Sequence, residues 1–320
     1  MCYNISQEEI DRLSFYQNII DFQKADFERL ESRLEEILNS EPSPLSQVLC
    51  SYLFSKSKRL RSHLVFLFAN AFSKADTAVI SLGAATELIH NATLIHDDVI
   101  DDSDLRRGVQ TLNYKFDNKL AVIAGDFLLS LALKELLFIK NEEVINIFTS
   151  SLTEICKGEI VQYFERGKSI SIEEYIEKSR LKTAILFESS LCSLFKILDK
   201  DEHMEQISEF ATNFGIAFQI RDDLRNVLSE DGAKPYLEDF KNGIYTAPFI
   251  YLFSESPELK NASIEEVLDG MKSSTAICST RLLLQKHIKL AIDSLEFLSD
   301  NQYKQNIIEL CHYIGEVEEK

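Results

Sequence analysis

Residues 80–102 read ISLGAATELIHNATLIHDDVIDD, a long apolar run that closes on four carboxylates, Asp97, Asp98, Asp101 and Asp102. Its apolar part covers nearly every side of a helix, which places such a helix inside a large bundle. The stretch from Leu120 to Ile139 has the same character. Elsewhere apolar residues recur at three- and four-residue steps, as at Leu13, Phe15, Ile19, Ile20, Phe27, Leu30, Leu34, Ile37 and Leu38. This periodicity predicts helices over about 5–39, 45–55, 60–73, 75–102, 117–139, 142–165, 172–197, 202–228, 243–254, 262–270, 275–298 and 301–315. With only 10 Gly and 5 Pro in 320 residues there is little turn chemistry for a many-stranded sheet. Breaks are short. They include Glu41-Pro42-Ser43-Pro44, and the longest irregular stretch is Ser229–Asn242. With no linker or internal repeat, the expectation is an all-α fold, one large antiparallel helical bundle over residues 1–320.

A formal net charge of −18 excludes a basic nucleic-acid face and simple electrostatic docking on anionic lipid. Such a chain needs metal ions or a local basic cluster to handle an anionic substrate. Six scattered cysteines without a CxxC fit reduced, buried thiols. No unbroken apolar run is long enough to expect a membrane span, and the mixed, acidic N-terminus does not resemble a signal peptide. The expected location is the cytoplasm.

Asp97 and Asp101 stand four residues apart, on one helix face, at a helix end that favours cations. Like charges so placed repel, and magnesium, which takes one or two carboxylates plus substrate phosphates, offsets that repulsion. Arg106 and Arg107 follow at once; the guanidinium fork matches phosphate oxygens. A second acidic element, Phe218-Gln219-Ile220-Arg221-Asp222-Asp223-Leu224-Arg225-Asn226, closes another long helix. Facing one another, the two would hold several Mg²⁺ and draw a diphosphate off carbon.

These motifs resemble those of the trans-isoprenyl diphosphate synthases (polyprenyl synthetases), and within them the long-chain, octaprenyl-diphosphate-synthase-like type. The resemblance covers about residues 45–300: LIHDDVIDDSDLRRG is similar to the first aspartate-rich motif and its diarginine, and AFQIRDDLRN to the second. Lys58-Arg59-Leu60-Arg61 stands at the GGKxxRP signature and Lys182-Thr183 at the Lys-Thr motif. Gly125-Asp126 and Gly158-Glu159…Gln162 also have family counterparts. The resemblance implies a bundle of the isoprenoid synthase type with a central active-site cavity, an outer N-terminal helix at about 5–39 and a catalytic bundle at about 45–300. It further implies Asp97 and Asp101 as metal ligands with Asp98 in support, and Asp222 with Asp223 for a further ion, two or three Mg²⁺ in all. Arg106, Lys182 and Lys234 would hold the allylic diphosphate, and Lys58, Arg61, His90 and Arg107 that of isopentenyl diphosphate. Thr183 and Gln219 carry oxygens that, by the same resemblance, would face the developing carbocation. His96 has no such counterpart and reads as structural. Departures are Lys56-Ser57 for the glycine pair, Ser62 for proline, Asn226 for the last aspartate, and Gly243-Ile244-Tyr245-Thr246 for Gly-Lys-x-Thr. Lys241, two residues before Gly243, is the candidate to substitute in part for the missing lysine.

The implied reaction is ionisation of an allylic diphosphate, attack by isopentenyl diphosphate, and proton loss, with the released pyrophosphate as base and water kept out. Ala92, about 7.5 Å below Asp97 along the axis, with Ala85 and Ala84 beyond, leaves room for a long product such as octaprenyl diphosphate. A shorter farnesyl or geranylgeranyl product is the alternative. Two rivals are a terpene cyclase, disfavoured by the second diphosphate set, and a noncatalytic regulatory subunit, favoured only by the departures. The resemblance alone implies a homodimer. A face bearing Phe15, Ile19, Phe22 and Phe27 fits either a dimer contact or a cover for the core.

Overall fold

The computed structural model describes residues 17–19, 21–40, 44–54, 58–106, 108–165, 167–168, 170–228, 240 and 243–317. Among them the helices are α1 (Lys24–Asn39), α2 (Pro44–Leu53), α3 (Leu60–Phe72), α4 (Thr77–Ile100), α5 (Asn118–Phe138), α6 (Glu142–Glu165) and α7 (Ile172–Ser179). A five-residue π-helical turn, Arg180–Ala184, joins α7 to α8 (Ile185–Ile197). Then follow α9 (Met204–Leu228), α10 (Ala247–Glu255), α11 (Ile264–Ser273), α12 (Ala276–Asp293) and α13 (Gln302–Gly315). The only strands among the described residues are β1 (Leu105–Arg106) and β2 (Val109–Gln110), a minimal antiparallel hairpin. The all-α expectation therefore holds.

Two compact units divide the chain. The first comprises Met1–Phe148, Ser190–Asp201 and Asn301–Tyr303. Its centre is α4, capped by the Asp76 carboxylate on the Val79 amide at 2.9 Å and packed against α1, α3 and, most extensively, α5. Gly83 of α4 lies under the Phe66 ring, where an added Cβ would come within 3.1 Å. In the most apolar window of α4, 78% is buried, so a helix long and apolar enough to cross a membrane here serves as a core helix. The long helix read at 5–39 is interrupted at Gln23, whose buried amide turns to bond the His63 carbonyl at 3.0 Å and the His63 ring at 2.6 Å. Phe27 packs against His63 and Phe66, and Ile19 is buried; these two cover the core, Phe22 is exposed, and Phe15 lies outside the described residues. The stretch Leu120–Ile139, expected to be enclosed on all sides, is not. On α5, Ala121, Ala124, Leu128 and Ala132 are buried, whereas Val122, Ile123, Leu137 and Phe138 are 43–61% exposed.

The second unit comprises Thr149–Ser189, Glu202–Asp300 and Lys304–Lys320. Here α9 packs along α12, and within its core Phe210 stacks on Phe214, which meets Phe187 edge-on. Ser171 and Ser263 form reciprocal capping boxes with Glu174 and Glu266 that fix where α7 and α11 begin.

Two buried imidazoles make stability depend on pH. Burial pulls His63 down to about 3 and His287 to about 4. Since an unfolded histidine titrates near 6.5, the unfolded chain takes up the proton first. The stability held by each neutral ring is complete above about pH 7 and falls as pH drops toward the folded value. Between pH 7 and pH 5 we expect His63 to cost roughly 1–2 kcal/mol. Thermal melts of wild type and His63→Gln across this range check it; equal slopes would exclude His63 as the source.

Candidate active site

The first acidic cluster is built by the way α4 ends. Asp102 turns left-handed at φ 51°, and the Ser103 amide returns to the Asp98 carbonyl at 2.9 Å, closing a Schellman-type turn. Thr111 and Asn113 brace the exit, donating to the Ser103 carbonyl at 2.6 and 3.1 Å. The chain then enters the β1–β2 hairpin, and Arg106 comes back to α4, its Nε donating to Asp98 Oδ1 at 2.6 Å. Asp98 is 1% exposed and also accepts from the Tyr52 hydroxyl at 3.4 Å. Burial raises its pKa above the ordinary carboxylate range, and the Arg106 charge and hydrogen bond oppose that rise. The two terminal nitrogens of Arg106 carry no hydrogen bond among the described residues. Asp97 is half-buried and Asp101 exposed on the same face. Asp98 is thus buried against an arginine, while Asp97 and Asp101 lie at least partly open to solvent.

The tip of the His96 ring reaches α5 at Gly125, where a Cβ would fall 2.2 Å from Nε2, and that nitrogen is 3.5 Å from Asp126. That contact accounts for Gly125-Asp126 and gives His96 a packing role. Ala84, Ala85 and Ala92 are all buried on α4.

In the second unit the π turn carries Lys182 and Thr183. Two glycines frame it. A Cβ on Gly215 of α9 would lie 2.4 Å from the Ala184 Cα, and one on Gly158 of α6 3.2 Å from the Leu181 Cβ. Close approach on both sides accommodates the widened turn, a deviation that recurs at functional sites. Lys182 Nζ pairs with Glu159 at 2.7 Å. Thr183 donates to Gln219 Oε1 at 2.6 Å, Gln219 Nε2 donates to Asp223 Oδ1 at 3.0 Å, and the Tyr175 hydroxyl donates to Asp223 Oδ2 at 2.5 Å. Burial and the neighbouring Asp223 and Asp222 charges push the Tyr175 phenol well above its ordinary value, so it remains a donor. This chain fixes the second acidic helix end and leaves Asp222 half-buried.

Of the remaining predicted residues, Lys58 is exposed before α3, Arg61 is buried in its first turn, and His90 is half-buried on α4. Arg107, Lys234 and Lys241 lie outside the described residues. Sequence reasoning missed Tyr52, Tyr175 and the buried set around Arg59. Arg59 adopts φ 42° and pairs with Glu31 at 2.6 Å and Glu87 at 3.5 Å, while Ser62, in place of proline, donates to Glu87 at 2.8 Å. Only the tyrosine side chains and a non-glycine left-handed turn signal these, and neither is visible in spacing.

Among the described residues no three His, Cys, Asp or Glu side chains converge as a complete metal shell. The donor sets nonetheless fit magnesium, which commonly binds through one or two carboxylates and completes its shell with phosphate and water.

The polyprenyl synthetase family model matches residues 43–280. A prenyl transferase of Cyanidium caldarium is 33% identical over 90% of this chain and 94% of its own length. A mitochondrial solanesyl-diphosphate synthase of Oryza sativa subsp. japonica is 31% identical over 93% and 77%. The structure of a decaprenyl diphosphate synthase from Rhodobacter capsulatus superposes with a TM-score of 0.87 at 25% identity, covering 94% of this chain and 98% of that one. With an all-helical fold and a family match that spans residues 43–280, the chain belongs to the polyprenyl synthetase family of prenyltransferases.

Proposed function

We propose that this chain adds isopentenyl diphosphate units to an allylic diphosphate in a magnesium-dependent reaction and releases a long-chain polyprenyl diphosphate. The observation that carries the reading is the end of α4, where Asp97 and Asp101 lie at least partly open to solvent while Asp98 holds Arg106 at 2.6 Å. Bound Mg²⁺ would neutralise the diphosphate and help it leave. Asp97, Asp101 and Asp222 would hold the ions, and Asp98 and Asp223 would position their neighbours. Arg106 and Lys182, with Lys234, would grip the allylic diphosphate as its C–O bond breaks and the electron pair goes to oxygen. Lys58, Arg61, His90 and Arg107 would hold isopentenyl diphosphate so that its double bond meets the cation. The Thr183 and Gln219 dipoles, locked together at 2.6 Å, would face that cation without reorganising.

The test is incubation of the purified chain with radiolabelled isopentenyl diphosphate, an allylic primer and Mg²⁺, followed by product sizing. Turnover to products longer than C20, abolished by EDTA, is expected. A folded chain inactive with every C5–C20 primer would sink the proposal and favour a noncatalytic subunit.

The long product is supported by the solanesyl and decaprenyl synthases among the relatives and by the small buried residues Ala84, Ala85 and Ala92. Ala92→Phe should shift products to shorter chains on the same assay, and an unchanged distribution would exclude Ala92 from the tunnel wall. The exposed apolar face of α5, with Val122, Ile123 and Leu137, supports a homodimer. Light scattering should then return about twice the 36.6 kDa chain mass, and a monomer would contradict it.

A further inference from the structure

The connection between α6 and α7 brings two lysines to a place that the reaction above leaves unused. Lys168 is exposed on that connection and Lys178 sits in the last turn of α7. With Gln162 of α6 and the Gly243–Tyr245 segment they line a cavity of about 20 Å³. A space of that size admits a single oxygen-sized group. Gln162 is 9% exposed and makes no hydrogen bond among the described residues, so its amide is available to an oxygen in this space. The cavity is held together by the backbone, since the Gly167 amide donates to the Gly243 carbonyl at 3.0 Å and both glycines take positive φ, 78° and 69°.

Its location follows from helical spacing. Gln162 is one turn beyond Glu159 on α6, and Lys178 precedes Lys182 by four residues, while Glu159 and Lys182 pair at 2.7 Å. The cavity therefore lies one turn along from that ion pair. Ile244, which lines it, has no charge to offer an anion.

We propose that Lys168, Lys178 and Gln162 form a seat for a terminal oxygen of the allylic diphosphate, supplying the positive charge that position 244 lacks. The seat rests on the reading of an allylic diphosphate as substrate. When the C–O bond breaks, the electron pair leaves with the diphosphate. The two ammonium groups meet the added negative charge without transferring a proton.

The test is steady-state kinetics of the full chain and the Lys168→Gln/Lys178→Gln double variant, with farnesyl diphosphate and isopentenyl diphosphate varied in turn. The KM for farnesyl diphosphate should rise about tenfold or more, with that for isopentenyl diphosphate held within about twofold. Ile244→Lys in the double variant should recover most of the loss. Calorimetry with inorganic pyrophosphate and Mg²⁺, which needs no turnover, should show weakening of the same size. Unchanged pyrophosphate affinity, an equal rise in both KM values, or no rescue by Ile244→Lys overturns the seat. An inactive wild-type chain with the expected pyrophosphate weakening would instead overturn the functional reading alone.

Discussion

Asp97→Asn lowers kcat by about a thousandfold and leaves the melting temperature unchanged or slightly higher. The loss is that of one metal-stabilised charge in the transition state, several kcal/mol at about 1.4 kcal/mol per tenfold. The stability result has the opposite sign because Asp97 and Asp101 repel at a four-residue step, at the helix end where negative charge is least favoured. Asp98→Asn behaves differently. Its carboxylate is 1% exposed and bonded to Arg106, so neutralising it weakens a charge-assisted bond and lowers stability as well as rate. Steady-state assays paired with thermal melts of the two variants check both signs. Near-wild-type rates for Asp97→Asn would remove it from the metal site.

Gly215→Val costs about 3 kcal/mol or more and abolishes most activity. A Cβ at 215 would stand 2.4 Å from the Ala184 Cα and 3.2 Å from its amide nitrogen, and backbone cannot yield as a side-chain tip can. Replacing glycine by β-branched valine gains the helix only about 0.5 kcal/mol or less, which is smaller than the overpacking. Relief requires α9 to back away from the π turn. That would separate Thr183 from Gln219 and loosen the bonds that set Asp223. The prediction is a lowered melting temperature with a fall in kcat that persists well below the new transition. A variant that melts lower yet turns over normally when folded would show that the turn does not position catalytic groups.

Much of this was legible in sequence for a physical reason. The run from Ile80 to Ile100 had to be interior, and its terminal carboxylates then needed a ligand. That conflict between burial and charge singles out Asp97 and Asp101 as candidate metal ligands, and the arginine pair beside them singles out Arg106. The pairing of Arg106 with Asp98 is not legible in this way, because it depends on a left-handed Asp102 and a hairpin that periodicity does not encode. Residues 172–197 read as one helix because a π turn keeps an apolar face; what frames it is the absence of side chains at Gly158 and Gly215, far away in sequence. The outward face of α5 was misjudged for a related reason. Val122, Ile123 and Leu137 are as apolar as core residues, and composition does not say which apolar face another surface covers.

Each acidic helix end offers too few ligands to hold magnesium alone, so the metal should bind firmly only when a diphosphate completes its shell. Counting Mn²⁺ by electron paramagnetic resonance, with and without a non-ionisable allylic thiodiphosphate, measures this directly. Two or three ions per chain should appear with the analogue, few without it, and at least one should be lost in Asp97→Asn and in Asp222→Asn. Full occupancy without diphosphate, or an unchanged count in either variant, would contradict it.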